Sequence, residues 1–299
     1  MKKSGLILLN KPEGITSHTA VRIVKRLVGA DKAGHTGTLD PMATGVLPIL
    51  IGRGVKASEF LTEADKHYVA VMRLGITTDT EDITGRVIGE SYDIPSCDRV
   101  FRAVKNFVGE IEQTPPMYSA VRIGGRRLME LAREGKVIDR PSRRIQVYKI
   151  EPIMLSDREY SLDVVCSKGT YIRTLCADIG KALGCGAVMS ALCRTETCGY
   201  DLSQAYTPTE LEAMSEKELD EAMIDVSAIF AKYPAYSPAP FFVHLTKNGL
   251  SVETRKLAAL PISREGERVR LYDENGVFYA LAEITLREDK PALTPLRQF

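Results

Sequence analysis

The chain is notable first for what its 299 residues do not contain. The longest apolar runs, residues 5–9 and 46–51, are strand-sized and fall far short of the roughly 20 residues a membrane-spanning helix needs. Lys2 and Lys3 are followed by only a few apolar residues before Asn10, Lys11 and Pro12, too few for a secretory signal, so a cytoplasmic location is expected. The six cysteines (Cys97, Cys166, Cys176, Cys185, Cys193, Cys198) show no C-x-x-C pair. Disulfides are not expected in such a setting, and the four cysteines between 176 and 198 lack the tight ligand pairs of a structural zinc site. Buried thiols, and no metal, are the expectation.

Excess charge is also missing. A net charge of +1 looks poor for a nucleic-acid binder, but binding depends on local basic surface. Residues 1–60 hold nine Lys or Arg against four acids, and residues 122–144 hold eight against three, so each segment is net +5. Residues 210–225, with seven acids and one Lys, offset much of this from what reads as a solvated helical face. For a charge run alone, solvated surface is the ordinary explanation of both basic segments.

What is present reads as a soluble globular chain, 44% apolar and 26% charged, long enough for one large domain and a small second one. Residues 5–10 (GLILLN) predict a buried strand. Thr16 or Ser17 can cap a helix whose 3.6-residue period runs through Ala20, Val21, Val24, Leu27 and Val28 to a stop at Gly29. Residues 34–45 (GHTGTLDPMATG) have no period and the composition of a tightly built loop. Residues 46–51 are a strand or helix start, 68–74 alternate as a strand with one wet face, and 98–108 predict an amphipathic helix stopped by Gly109.

Farther on, residues 119–144 mix Gly124 and Gly125 with many Arg and read as an excursion from the core. Strands are predicted at 145–155 and 160–166, then a helix after Gly169 that ends at Gly184. The Pro- and Ser-rich stretch 231–240 marks a boundary, placing a large domain at 1–236 and a small β-rich one at 237–299, built on strands 268–272 and 277–285 around Asn275-Gly276.

Several chemistries have no footing. GHTGTLDP lacks the Lys-Ser/Thr end of a P-loop, no G-x-G-x-x-G follows a strand, and no G-x-S-x-G elbow accompanies Ser17, His18, His35 and Asp40 as a hydrolase triad would require. One acid remains, Asp40, among Gly and Thr with basic sequence on both sides. An Asp before Pro in such a loop is most often a turn-former.

Longer stretches decide the matter. GHTGTLDPMATGVLPI resembles the catalytic loop of the TruB family of tRNA pseudouridine synthases, and GLILLNKPEGITS resembles that family's opening segment. The resemblance continues through residues 66–85, 113–135 and 166–180, in order, and so spans the large domain. It implies an α+β fold with a mixed, mainly antiparallel sheet. RLYDENGVFYALAEI resembles, on fewer letters, a PUA domain, a small RNA-binding β-barrel. The implied reaction isomerises a uridine of the tRNA T loop, numbered 55 by tRNA convention, with no cofactor, no metal and no obligate protein partner.

The resemblance also assigns residues. Asp40 becomes the catalytic aspartate, Tyr68 the aromatic face for the uracil and Arg173 the partner of the carboxylate. Tyr171 and Leu192 line the uridine pocket, His35 fills space vacated by displaced bases, and Asp82 contacts the target nucleotide. Lys11 and Pro12 shape the wall, and residues 119–144 close over the RNA. For His18, His67 and His244 a surface or structural place is expected. Cys193 stands where the family's LRRT pattern has a second Arg, which puts one contact in doubt.

The chemistry explains these types. The N1–C1′ bond must break, the base must turn over, and C5 must join C1′. A carboxylate, expected to be ionised at neutral pH, can attack C1′, attack C6 of the uracil, or help remove a sugar proton. Arg173 can hold it by a forked contact, and a uracil flipped from its stack needs an aromatic surface in exchange. The rival from another class is a non-catalytic tRNA-binding protein.

Overall fold

The computed structural model describes residues 3–299. Its centre is a ten-stranded sheet. Ile224–Asp225, β1 (Gly5–Lys11), β3 (Thr44–Ile51), Ala187–Thr197, β4 (Lys66–Leu74), Glu159–Cys166, Arg143–Met154 and Gly109–Gln113 lie side by side in that order. β2 (Ala33–His35) pairs with β3, and Tyr200–Asp201 with Ala187–Thr197. Its ladders are antiparallel except where Cys193 and Arg194 run parallel to Thr44 and Gly45.

The apolar patterns follow from what covers each face. Along β1, Ile7 and Leu9 enter the main core, while Leu6 and Leu8 enter a second cluster on the opposite face. Successive side chains point to opposite faces of a strand, so a strand covered on both sides reads as one unbroken apolar run. β4 is covered on one side only. Tyr68, Ala70, Met72 and Leu74 are buried and the residues between them are not, which is the alternation visible in the sequence.

The main core is closed by the helices α1 (Ser17–Leu27), Cys97–Lys105 and Ile172–Leu183, with Leu211 and Leu219 added from two short helices farther on. Thr16, not Ser17, caps α1, its Oγ1 accepting from Thr19 N at 3.0 Å. The helix expected over 98–108 ends at Lys105 because Asn106, Phe107 and Val108 donate to carbonyls three residues back, and Gly109 turns the chain with φ +114°. Residues 34–45 are not all loop, since the backbone of Gly34 and His35 pairs with Leu50 and Ile49. The acidic stretch 210–225 contains two short helices, Pro208–Ala213 and Glu216–Glu221, divided where Ser215 caps the second.

The second sheet has five strands: Ala235–Tyr236, Arg268–Tyr272, Phe278–Arg287, Lys290–Gln298 and Val252–Glu253. It recruits Ala235 and Tyr236 from within the Pro-rich stretch. Phe278, Leu281 and the C-terminal Phe299 join Leu6, Leu8 and Leu50 in the second cluster, so the β module packs on the back of β1 and β3. Residues 117–144 carry a small cluster of their own, Met117, Leu128 and Leu131, beside the hairpin Arg122–Ile123 and Arg126–Arg127. Among the described residues no helix is long and apolar enough to cross a membrane.

Candidate active site

Asp40 sits on the turn between β2 and β3, beside the sheet's parallel junction. The turn is held by side chains from three separate segments. Ser17 Oγ donates to the Leu39 carbonyl and accepts from the Leu39 amide, both at 2.8 Å. Lys11 Nζ donates to the carbonyls of Ile15 at 2.8 Å, Pro12 at 2.9 Å and Pro41 at 3.2 Å. Arg194 spans the turn, its Nε donating to Val46 O at 2.8 Å and its Nη2 to Gly37 O at 3.2 Å. All three side chains are buried. Asp40 is therefore displayed by a backbone that has little freedom left.

Arg173 holds the carboxylate in a side-on fork, with Nε 3.0 Å from Oδ2 and Nη2 3.4 Å from Oδ1. This is the strong, orientation-fixing form of a guanidinium–carboxylate pair. Arg173 is itself fixed from behind: Nη1 donates to Thr80 O at 3.0 Å and lies 3.5 Å from Asp82 Oδ2, while Nη2 donates to Tyr118 O at 2.8 Å. The Asp40 side chain keeps 35% of its surface exposed, against 6% for Arg173, so the acid remains partly open to solvent while the base is enclosed.

Burial pushes the Asp40 carboxyl above the usual carboxylate range; Arg173 and Lys11 oppose this, and Asp82 adds to it. The direction is what a desolvated carboxylate beside another acid should show. Burial lowers Lys11 to about 8, against the pull of Asp40 and Glu13.

Tyr68 is buried on the same face, its Cα paired with that of Arg194. Leu192 pairs with Ala70 on that face and is buried. Burial raises the Tyr68 phenol, with Arg194 opposing. Tyr171 is half-buried at the start of helix Ile172–Leu183, and its backbone is clasped by Gln113, which donates to Tyr171 O at 3.0 Å and accepts from Tyr171 N at 2.8 Å. His35 stands with its ring 6.0 Å from that of His18. Its Nδ1 is buried without a hydrogen-bond partner among the described residues. Burial lowers its pKa, and His18 and Arg194 act in the same direction.

Asp82 lies deep in the site. Only 7% of its side chain is exposed, and Oδ1 accepts from Thr80 Oγ1, Thr84 N and Thr84 Oγ1 at 2.9, 3.0 and 2.6 Å. It stands behind Arg173 and not at an open surface. His67 pairs with Asp163, whereas His18 and His244 are exposed. Cys193 is half-buried opposite Thr44 and Val69.

Sequence reasoning passed over three residues that build the site: Arg194, Ser17 as a loop anchor, and Gln113. Only Arg194 left a signal, as the one basic residue of its strand, directly after the apolar run Ala191-Leu192-Cys193. Among the described residues all six cysteines are free, and no three His, Cys, Asp or Glu side chains gather as a ligand set.

Comparison with known proteins matches this chain to a family. The model of the TruB family pseudouridylate synthase N-terminal domain matches residues 25–172, and that of the tRNA pseudouridylate synthase B C-terminal domain matches residues 173–230. A tRNA pseudouridine synthase B of Thiobacillus denitrificans is 42% identical over 93% of this chain and 91% of its own length. One of Burkholderia mallei is 41% identical over 98% and 96%. Among solved structures, the crystal structure of a Cbf5-Nop10-Gar1 complex superposes with a TM-score of 0.72 at 27% identity, covering 98% of this chain and 84% of that one.

Proposed function

The chain belongs to the TruB family of tRNA pseudouridine synthases, which isomerise uridine in tRNA to pseudouridine, and from that premise we propose that its target is the T-loop uridine numbered 55 and that Asp40 is the nucleophile. The observation that carries this reading is the fork from Arg173 to a carboxylate that keeps 35% of its side chain exposed and so can be reached by a substrate.

In the proposed course the T stem-loop docks on the basic surface and is recognised by loop shape and backbone contacts. The uridine is flipped, and Tyr68 supplies part of the surface lost with its stack. Stacking of a base on an aromatic ring is worth roughly 1–3 kcal/mol, enough to offset part of the extrusion. Tyr171 and Leu192 close the pocket, and His35 occupies space left by displaced bases. Asp82, behind Arg173, contacts the target nucleotide in this reading. The N1–C1′ bond breaks, the uracil turns over, C5 bonds to C1′, the C5 proton leaves to solvent and N1 takes up a proton. No step in this course calls for a cofactor, a metal or a second protein.

The division proposed is a catalytic domain over 1–236, with residues 119–144 closing over the RNA, and a PUA-like RNA-binding module over 237–299. The six free thiols support a cytoplasmic place.

The test uses purified protein, an unmodified tRNA transcript carrying C5-tritiated uridine, and no additive. Wild type should release tritium, while Asp40→Ala should lose more than about 10³-fold in rate and still bind tRNA. Because burial raises the Asp40 carboxyl, the wild-type rate should begin to fall at a pH above the ordinary carboxylate range as the medium is acidified. Binding by the wild type without release would leave a tRNA-binding protein in place of the enzyme, and release from a transcript lacking uridine 55 would move the target.

A further inference from the structure

Arg194 is the bulkiest of the fully buried side chains among the described residues, 1% exposed. Its guanidinium donates to the carbonyls of Val46 at 2.8 Å and Gly37 at 3.2 Å and has no ion-pair partner among the described residues. A charge taken out of water without a counter-ion is costly. Lys11 and Lys66, the other buried cations without an ion pair, ease that cost by holding their protons less tightly, and burial lowers the pKa of both. A guanidinium keeps its charge at every working pH. Beside it the strand is irregular: Arg194 pairs with Tyr68 and Glu196 with His67, which leaves Thr195 as the extra residue of a bulge, its Oγ1 buried without a partner among the described residues. Bulges re-aim side chains and recur next to active sites. Two costs at one point of a strand mark a place shaped for function.

Arg194 lies directly opposite Tyr68 on the neighbouring antiparallel strand and beside Gly45 on the parallel one. Residues opposite each other project on the same face, with Cβ atoms about 4.5–5.5 Å apart. The two carbonyls it holds, of Gly37 and Val46, stand on either side of Asp40 in the chain. One buried cation is thus fixed next to the proposed face for the uracil and to the turn that carries the proposed nucleophile. The movement of charge in the reaction gives that position a use. When the N1–C1′ bond breaks and Asp40 becomes joined to C1′, the bonding pair leaves on the uracil, so the carboxylate becomes a neutral ester and the base an anion. When C5 then bonds to C1′, the pair on the ester oxygen returns to the carboxylate, the C5 proton leaves to solvent and N1 takes up a proton. Arg173 is matched to Asp40 before and after, and also lies beside Asp82. While the base is detached, the negative charge is elsewhere.

We propose that Arg194 is a positioning residue whose guanidinium, set beside Tyr68, is the standing counter-charge of the uracil while the base is free of the sugar. A permanent cation in a water-excluded site acts strongly on charge that develops nearby and needs no rearrangement when it does. The same side chain keeps the Asp40 turn in register with Tyr68, so charge and alignment come from one residue. This inference rests on the roles proposed for Asp40 and Tyr68.

The experiment compares wild type, Arg194→Gln and Arg194→Lys in single turnover on tRNA carrying one radiolabelled uridine or 5-fluorouridine at the target position. Consumption of the N1-linked nucleotide is read by chromatography after digestion, with the urea midpoint and tRNA affinity measured alongside. Fluorine draws electrons from the ring and stabilises the detached anion, so that substrate depends less on the cation. Arg194→Gln should slow the uridine reaction about 10²-fold, leave affinity within about twofold, and slow the 5-fluorouridine reaction at least about tenfold less. Arg194→Lys keeps the charge but not the pair of bonds to Gly37 and Val46, so its urea midpoint should fall as far as that of Arg194→Gln while its uridine rate stays at least about tenfold higher. Arg194→Met, neutral and apolar, gives the same comparison of the two substrates if Arg194→Gln does not fold. A residue that only clamps the turn would slow both substrates by the same factor, with rates that follow the urea midpoints, and either result overturns the proposal. Consumption of uridine that persists in Asp40→Ala would instead remove the reading of Asp40, while the two-substrate comparison still decides the role of Arg194.

Discussion

Two segments meet at Arg173, and they are built in opposite ways. The Asp40 turn has its backbone carbonyls bonded by buried side chains of Ser17, Lys11 and Arg194, which come from three parts of the chain. Residues 119–144 rest on a core of only three buried apolar side chains, and most of their arginines face water. The difference follows the work proposed for each. A nucleophile loses rate steeply when misplaced, so its backbone is over-determined. A segment that must admit and then grip RNA needs a low-cost opening, and few buried contacts provide one.

The contrast is broken most severely by a side chain placed inside the clamped turn. Gly45 has φ +101°, and a Cβ there would lie 2.2 Å from the Arg194 carbonyl oxygen. Backbone, unlike a flexible side chain, cannot step aside. Gly45→Ala should therefore cost roughly 3–5 kcal/mol of stability, adding left-handed strain to overpacking, as measured by urea unfolding. Gly124→Ala or Gly125→Ala in the insertion, where nothing lies within 4 Å of the added Cβ, should cost no more than the roughly 1–3 kcal/mol of the positive φ alone. Equal losses at the two sites would erase the distinction.

The same contrast explains what could be read from the chain and what could not. The double-sided burial of β1 and the one-sided burial of β4 are periodic features, and periodicity is local. Asp40, Tyr68 and Arg173 could be named from the sequence because each lies in a long stretch resembling one family, and of what was expected of them the structure shows the contact between Arg173 and Asp40. The side chains that hold Asp40 in place were not, because their contacts span 22 positions for Ser17, 30 for Lys11 and 157 for Arg194. No sequence period encodes a bond from Arg194 to Gly37. The burial of Asp82 escaped for a related reason: an acid in a Thr-rich turn can face a ligand or cap its own loop, and only the arrival of Arg173 from another helix decides. Ala235 and Tyr236 look like linker because two residues of strand are too few to show alternation.

Lys11 sharpens the comparison through pH. Its ammonium donates to three carbonyls, Pro41 on the turn and Pro12 and Ile15 on the segment after β1, yet burial lowers its pKa to about 8. The unfolded chain holds this proton up to the ordinary lysine value of 10.5, so between about 8 and 10.5 the unfolded state binds more protons than the folded one. Stability from this group therefore rises with pH across that window, and below about pH 8 the full cost of burying the charge is present. Lys11→Met should remove that rise, flattening the urea midpoint between pH 8 and 10, and should leave the turn less ordered, with a lower rate of tritium release at neutral pH. An unchanged slope would mean that the ammonium is not the group titrating there.

The smallest effects are expected on the insertion, where they should appear in binding and not in stability. Arg122 and Arg127 face one another across the short hairpin, and like charges in that position repel. Arg122 and Arg133 are exposed and have no ion-pair partner among the described residues. A hairpin that places like charges opposite each other gains when phosphate enters between them. Arg122→Ala should thus leave the unfolding midpoint unchanged or slightly raised, weaken tRNA binding a few-fold, and reduce the slope of log affinity against log salt by roughly 0.7–0.9. Arg133→Ala should do the same without the gain in stability, since no like charge faces it across a strand. A loss of affinity that does not depend on salt would mean these arginines shape the insertion instead of touching phosphate, and the loosely built side of the cleft would then be structural after all.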